Sequence, residues 1–213
     1  LPVREEPMPG VRPSLAGFLN LVKRRDVMVP TLLSTLAQYV AWATTFGFKP
    51  ILARGLGADG VKQSLLVSGS MVVGIAGNLL SALVVTRIGP RRLVAMAFGV
   101  ASLGIAVAAF APTLLVLSVG QFMLGLSQGA LYPVLLGMSI EKVDERQRST
   151  AMGVHQAVYG IGMTAGPAVS GIIAEAVGIP TMFLVTAAIC LTAGLVGARF
   201  LATARGETRP LAT

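Results

Sequence analysis

Amide and aromatic side chains recur at helical spacing in two apolar stretches of the chain, 27–48 and 113–140. The members are Gln38 and Trp42 in the first stretch and Gln121, Gln128 and Tyr132 in the second. Amides and phenols on one helix face can hydrogen-bond a polar solute, while the aromatic rings supply apolar contact. We therefore expect both faces to line a substrate cavity. Hydrogen bonds between packed helices are the alternative use of the same side chains.

The single histidine of the chain, His155, lies one helical turn before Tyr159. Imidazole titrates near neutral pH, so we predict that both residues face the same cavity, where His155 would bind solute or relay a proton. A buried hydrogen bond between helices is the alternative. The sequence has no second histidine, cysteine or carboxylate at metal-ligand spacing and no nucleophile beside a base. This predicts no metal site, no cofactor and no enzymatic activity.

The composition of the 213 residues excludes several classes of protein. Hydrophobic residues make up 54% and charged residues 12%, whereas soluble domains average about 25% charged residues. So few charges cannot cover the surface of a water-soluble fold of this size. The composition therefore rules out an ordinary cytosolic enzyme and a disordered chain, and the single cysteine, Cys190, rules out an internal disulfide.

Long runs without charge predict membrane-spanning helices. About 20 apolar residues cross a hydrocarbon core of about 30 Å as a helix, which pairs its own backbone groups. The runs accommodate six crossings, at 27–48, 64–86, 92–111, 113–140, 150–177 and 181–203. The expected fold is an all-α membrane protein with a cytoplasmic linker over 1–26, a six-helix bundle over 27–203 and a cytoplasmic tail over 204–213. Residues 15–22 are either plain linker or a short amphipathic helix at the interface.

Basic residues are distributed unequally between the two sides of this topology. Of the 17 lysines and arginines, all but Lys49, Arg54 and Lys62 fall on the side that holds both termini. The positive-inside rule therefore places both termini in the cytoplasm and the protein in the cell membrane. The basic charges are dispersed and are not interleaved with aromatic residues, so we expect no nucleic-acid partner.

The polarity of the six predicted helices repeats after three helices. The first, second, fourth and fifth carry amides, hydroxyls or the histidine, whereas the third has Ser102 as its one polar residue between 93 and 111 and the sixth is similarly apolar. Polar groups are costly in hydrocarbon, so we expect the four polar helices to face a cavity and the third and sixth to face lipid. Nested repeats of this kind occur in secondary transporters, and we predict a 3+3 inverted repeat.

The loop after the second predicted helix carries a sequence motif. Residues 82–92 read ALVVTRIGPRR, which resembles the G-x-x-x-D-R-x-G-x-R-R loop signature of the major facilitator superfamily. The matching residues are Arg87, Gly89, Arg91 and Arg92. Ala82 replaces the first glycine and Thr86 replaces the aspartate. The missing acid argues against the charge-relay latch that the family has in this loop.

A second motif lies in the fifth predicted helix. Its members are Gly153, Gly162, Gly166, Pro167 and Gly171. Their spacing resembles the antiporter signature of the same family, G-x8-G-x3-G-P-x2-G-G, with Ser170 in place of one glycine. Small residues permit close helix approach and Pro167 removes a backbone hydrogen bond, so this helix is predicted to shape the gate, with static tight packing as the alternative. Gly125 stands where the family's R-x-x-Q-G motif has arginine, which favours the second half of the family fold.

The resemblance covers residues 20–205 and implies the carboxyl-terminal six-helix half of a twelve-helix secondary transporter. Such a protein would move a small solute by alternating access between this half and a matching half, encoded upstream or supplied by a second copy. The lipid bilayer, the solute and a proton are the implied partners, and the glycine motif points to efflux. No acid occupies the centre of a span, so a proton-carrying carboxylate would lie outside this sequence. A six-helix membrane scaffold that transports nothing is the alternative function.

Overall fold

The fold consists of helices joined by short turns. The computed structural model describes residues 15–201, with side chains from residue 17, so the predicted tail over 204–213 and residues 1–14 of the linker lie outside the described residues. The helices are α1 (Leu15–Lys23), α2 (Arg25–Ala41), a π-helix (Trp42–Phe48), α3 (Lys49–Gly55), α4 (Gly60–Ile88), α5 (Pro90–Ala109), α6 (Leu114–Ile140), α7 (Glu145–Val177) and α8 (Ile179–Phe200). No strand occurs in that range, which confirms the all-α prediction for the described chain.

Five of the described helices, α4 to α8, are long and apolar enough to cross a membrane. They coincide with the second to sixth predicted spans, with small differences at their ends. Their amphipathic character is weak because apolar side chains surround each helix, as expected where lipid and protein both offer apolar contact. Of the two alternatives left open for residues 15–22, plain linker and a short helix, the structure has the helix, as α1.

The first predicted span, 27–48, has a different construction. α2 is 17 residues long, the π-helix follows directly, and α3 continues the rod to Gly55. Pro50 has no amide proton, so the carbonyl of Phe46 cannot receive the usual α-helical hydrogen bond. A π-helix accommodates such an interruption, and π segments are frequent at functional sites. α2 alone is therefore shorter than the roughly 20 residues that a membrane crossing requires.

Two glycines close the turns between consecutive long helices. α4 ends at Gly89, with φ 81°, and α7 ends at Gly178, with φ 83°. This left-handed backbone conformation strains any residue with a Cβ, which explains why the loop motif needs Gly89. A proline in the first turn of the following helix then restarts the chain, at Pro90 and at Pro180.

The long helices pack in two interlocked sets. α4 and α5 both contact α6, α7 contacts α2, and α5 also packs along α8. Phe98 of α5 and Phe183 of α8 are fully buried in the main apolar core. α5 is the most covered of the five spans, whereas α4 and α7 are the least covered, with 11% and 17% of their most apolar stretch buried. The predicted third helix is therefore substantially packed against protein, and the helices with the largest uncovered faces are α4 and α7.

The start of α2 is fixed to the loop between α6 and α7 by one arginine. Arg24 forms an ion pair with Asp26 at 2.6 Å and donates to the backbone carbonyl of Lys142 at 2.7 Å. The hydrogen bond from Arg24 lowers the pKa of the Asp26 carboxyl below its ordinary value. Leu21 of α1 packs nearby in a small apolar cluster with Val154 of α7. Part of the predicted linker therefore docks on the bundle.

Candidate functional site

A partly open cavity of about 240 Å³ lies between the α2–π-helix rod, α4 and α6. Five of the seven predicted cavity residues line it, namely Gln38, Trp42, Gln121, Gln128 and Tyr132. Thr45 and Ser70 add hydroxyls, and Phe46 and Met71 add apolar surface. The lining thus combines amide donors and acceptors with aromatic and aliphatic contact, which is the usual character of a small-molecule site.

Close approach of α4 and α6 shapes one wall of this cavity. A Cβ placed on Gly125 would meet the backbone carbonyl oxygen of Ser70, and one on Gly129 would meet that of Gly74. Both contacts would be far inside van der Waals distance, so the two backbones touch at these glycines. This explains Gly125, which was noted in the sequence only as a departure from the family's arginine. An arginine there would collide with the α4 backbone.

Gln121 is the centre of a buried polar cluster at one end of the cavity. Its Oε1 accepts a hydrogen bond from Lys49 Nζ at 2.7 Å and a longer one from Thr45 Oγ1 at 3.4 Å. Its Nε2 donates to Ser70 Oγ at 3.1 Å. Each polar atom of the amide therefore has a partner, and the orientation of the amide is fixed by its neighbours.

Lys49 is the residue of this cluster that sequence reasoning missed. The sequence analysis counted it only among the basic residues of the outer side, yet its side chain is 5% exposed and lies against Gln121. A signal was present, because Lys49 continues the spacing of Gln38, Trp42 and Thr45 along one helix face. A second cavity of about 40 Å³ lies beside it and shares Thr45 and Gln121 with the larger one.

Gln128 and Tyr132 take part in helix packing as well as in the cavity wall. Gln128 Nε2 donates to the carbonyl oxygen of Ala37 at 2.7 Å, which ties α6 to α2. The ring of Tyr132 stands edge-on to the ring of Tyr159, with centroids 5.9 Å apart. Both predicted uses of these side chains, cavity lining and contact between helices, are thus realised together.

His155 and Tyr159 do not line the described cavities. His155 is fully buried between α7 and α2, with Nδ1 3.1 Å from Thr31 Oγ1 and Nε2 without a hydrogen-bond partner among the described residues. Tyr159 lies between His155 and Tyr132, in edge contact with both rings. The histidine therefore occupies the position between helices that was its alternative assignment, one aromatic ring away from the cavity wall.

The glycines of α7 divide into two groups. Gly162 and Gly166 face α2 so closely that a Cβ would meet the carbonyl oxygens of Thr35 and Tyr39. Gly153 and Gly171 have no such neighbour within 4 Å among the described residues. α7 runs unbroken through Pro167. Two of the four glycines of the predicted gate motif thus form a tight interface with α2, and the other two have no close neighbour in the described part of the chain.

The loop signature lies at the end of the bundle near the carboxyl end of α8. Gly89 makes the turn, and Arg91, Arg92 and Arg199 line a surface cavity of about 580 Å³. Among the described side chains the ion pairs are those of Arg24 and Lys62, so none of these arginines, nor Arg87, is paired with an acid there. No group of three or more His, Cys, Asp or Glu that could hold a metal ion occurs among the described residues.

Comparison with known proteins identifies the family of this helical bundle. The model of the Major Facilitator Superfamily matches residues 31–212. The chain belongs to the major facilitator superfamily. Membership confirms the resemblance found in the loop and glycine motifs, and it makes the protein an integral membrane protein of a transporter family. The cavity described above therefore belongs to a protein of a transporter family.

One curated relative is informative about the extent of the chain. Over 136 residues the chain is 26% identical to the riboflavin transporter RibZ of Clostridioides difficile (strain 630). The match covers 64% of this chain and 30% of that relative. The chain thus corresponds to less than two thirds of the relative's length.

Proposed function

We propose that this chain is the carboxyl-terminal six-helix half of a secondary transporter, and that its cavity binds a small solute during alternating access. The observation that carries the proposal is the cavity between the α2–π-helix rod, α4 and α6, with three glutamine side chains in its wall. Each amide is costly in hydrocarbon, so three of them around a partly open space favour a protein that binds solute over a scaffold that does not. Solute transport, and not chemical conversion, is accordingly the proposed activity.

The proposed six-helix, 3+3 arrangement has support in the packing and in the turns. The same sequence interval separates Gly77 from Gly166, Ser81 from Ser170 and Gly89 from Gly178. α4, which ends at Gly89, packs on α6, and α7, which ends at Gly178, packs on α2. The first helix of this repeat would be the rod from α2 through the π-helix to α3, which is long enough to cross the membrane as one unit.

The matching half is proposed to cover α4 and α7. These two helices leave the largest uncovered apolar faces, including Ile75 and Leu79 on α4 and Ile161 and Ile172 on α7. Small and apolar side chains suit helix–helix contact within a membrane.

The orientation, direction and coupling are parts of the same proposal. The uneven distribution of basic residues supports cytoplasmic termini in the cell membrane. The glycine–proline pattern of α7 supports outward movement of solute coupled to protons. Glu175 is exposed near the end of α7, and no described span carries a buried carboxylate, so the proton-carrying acid would belong to another part of the transporter.

Cysteine labelling of the full-length protein tests the cavity. In a Cys190→Ala background, Gln38→Cys and Gln128→Cys should react with a membrane-impermeant maleimide, and a transported solute should protect them. Leu131→Cys is the matched control, because Leu131 is buried on the same helix and lies outside the cavity lining. Riboflavin, named by the relative, is the first solute to assay in proteoliposomes. If Gln38→Cys and Gln128→Cys are as unreactive toward the maleimide as Leu131→Cys, and no solute flux is measured, the results would support the scaffold instead.

A further inference from the structure

The cluster around Lys49 bears on the chemical class of the solute. Lys49 Nζ donates to the neutral amide of Gln121 at 2.7 Å, and the side chain is 5% exposed. An ammonium group has three N–H donors, and the amide oxygen accepts one of them. Buried cations in proteins are normally paired with an anion, since the unpaired charge is costly to desolvate. A buried lysine held by an amide is therefore an incomplete ion pair.

No acid of the described chain completes this pair. Two acids, Asp59 and Glu175, belong to the same end of the bundle as Lys49, and both are exposed. Asp59 caps the start of α4 and pairs with Lys62 at 3.9 Å. From α4 the groups that share the small cavity with Lys49 are Gln63, Leu66 and Val67, and from α6 they are Leu117 and Gln121. None of these carries a negative charge.

Hydrogen bonds fix the orientation of the polar groups around Lys49. Ser70 donates its own proton to the carbonyl of Val67 at 2.8 Å, so it accepts from Gln121 Nε2 and directs Gln121 Oε1 toward Lys49. The small cavity beside Lys49 and the main cavity share Thr45, Val67 and Gln121 in their linings. The ammonium group is thus fixed next to the space in which the solute is proposed to bind.

We propose that Lys49 is the anion-recognition residue of the cavity, and that the transported solute carries a carboxylate or phosphate group. This inference rests on the proposed function, since the cavity must admit a solute. The anionic group would lie beside Lys49 and accept its free N–H donors, while Trp42, Phe46 and Met71 contact the apolar part of the same molecule. Lys49 and the cavity together would then select amphipathic anions over neutral molecules of the same shape.

Matched pairs of probes in the full-length protein test this specificity. Binding of benzoate against benzamide, and of nicotinate against nicotinamide, is measured by thermal shift and by protection of Gln38→Cys from maleimide. We expect the wild type to bind the anion of each pair about tenfold or more tightly, as charge-assisted hydrogen bonds allow. Lys49→Gln should abolish this ratio, Lys49→Arg should retain part of it, and Lys62→Gln, which changes an exposed lysine, should leave it unaltered.

Two results would overturn the inference. If the wild type shows no preference for the anions, then Lys49 does not recognise the charge of a solute. If the anion preference persists in Lys49→Gln, then another group recognises the charge. Either result leaves solute flux in proteoliposomes intact, whereas absence of flux in the wild type would instead reject the proposed function.

Discussion

The Nδ1 of His155 lies 3.1 Å from the hydroxyl oxygen of Thr31, and that hydroxyl already donates its proton to the carbonyl oxygen of Val27 at 2.7 Å. A hydroxyl group has one proton to give, so the contact with the ring must use the proton on Nδ1. We therefore assign the Nδ1–H tautomer to His155 from its hydrogen-bond partners. Its Nε2 is an acceptor that finds no partner among the described residues. The histidine joins α7 to α2 at this point and is buried on all sides.

This tautomer predicts different effects for two amide substitutions at His155. An asparagine places its NH₂ group close to the position of Nδ1, so His155→Asn should keep the hydrogen bond to Thr31. A glutamine places its NH₂ group nearer to Nε2, so His155→Gln should lose that bond and cost about 1 kcal/mol more of stability. Thermal unfolding of the purified full-length protein in detergent measures the difference. Equal stability of the two variants would contradict the tautomer assignment, and Gln147→Ala, at an exposed position of the same helix, is the control.

The cavity wall was predictable because helical spacing fixes which residues share a face. Gln121, Gln128 and Tyr132 are spaced for one face of any regular α-helix, and the structure places all three on the cavity. Lys49 was missed for a different reason. A charge at the end of an apolar run is ordinarily a topology signal, and the helical spacing that places Lys49 on the face of Gln38 and Trp42 does not by itself distinguish a lysine that snorkels to water from one that turns inward.

Other features depend on contacts that a single sequence does not record. The π-helix ends shortly before Pro50, but a proline is equally compatible with a kink or a helix end. Gly162 and Gly153 have the same residue type and lie in one motif, yet one contacts α2 and the other contacts no described neighbour. The lipid-facing assignment of the third predicted helix rested on polarity alone, which does not report how much of an apolar helix is covered by protein.

The two groups of glycines in α7 should respond in opposite ways to a methyl group. In Gly162→Ala the new Cβ would meet the backbone of Thr35, which cannot move aside as a flexible side chain would, so we expect a loss of about 1–3 kcal/mol of stability. Gly153→Ala is the matched control in the same helix. It has open space in the described chain and gains helix propensity, so stability should be unchanged or rise by up to about 1 kcal/mol. Detergent unfolding of both variants measures the difference, and a Gly162→Ala variant as stable as the wild type would show that α7 does not pack on α2 as described.

Removal of single hydroxyl groups should distinguish a residue that binds solute from one that only holds helices together. Tyr132 lines the main cavity, and its side chain also interacts with Tyr159 and Gln156. Tyr132→Phe should therefore raise the KM for the transported solute several-fold, as expected for the loss of one hydrogen bond, and lower stability by about 1 kcal/mol. Tyr39 lies outside the cavity lining, and its hydroxyl is 3.1 Å from Ser170 Oγ between α2 and α7. Tyr39→Phe should therefore lower stability and leave KM unaltered. Flux assays in proteoliposomes measure both, and a KM that responds equally to the two changes would remove Tyr132 from the solute site.

The ion pair at the start of α2 should make stability depend on pH in the acid range. Arg24 lowers the pKa of Asp26 below its ordinary value, so the pair contributes stability above the pKa that Asp26 has in the unfolded chain. That contribution is lost as the pH falls through the lower pKa of the folded protein. Both side chains are partly exposed, so the effect should be within about 1 kcal/mol. Asp26→Asn should remove this part of the pH dependence between neutral pH and pH 3. An unchanged unfolding profile would show that the pair does not persist in solution, and Glu175→Gln serves as the control at an exposed acid near the end of α7.

The cost of breaking the contact between Lys49 and Gln121 should depend on which of the two residues is substituted. Gln121→Leu removes the acceptor of a buried cation and should cost about 2–3 kcal/mol, because the ammonium is left without its partner. Lys49→Met removes the cation and leaves a neutral amide that still donates to Ser70, so it should cost less. In the double variant neither polar group is left without a partner, so its loss of stability should be smaller than the sum of the two single losses by more than about 1 kcal/mol. Unfolding measurements on the four proteins of this cycle give the coupling directly. Strictly additive losses would mean that Lys49 finds another acceptor, and the 2.7 Å contact would then not be what holds the side chain inside the bundle.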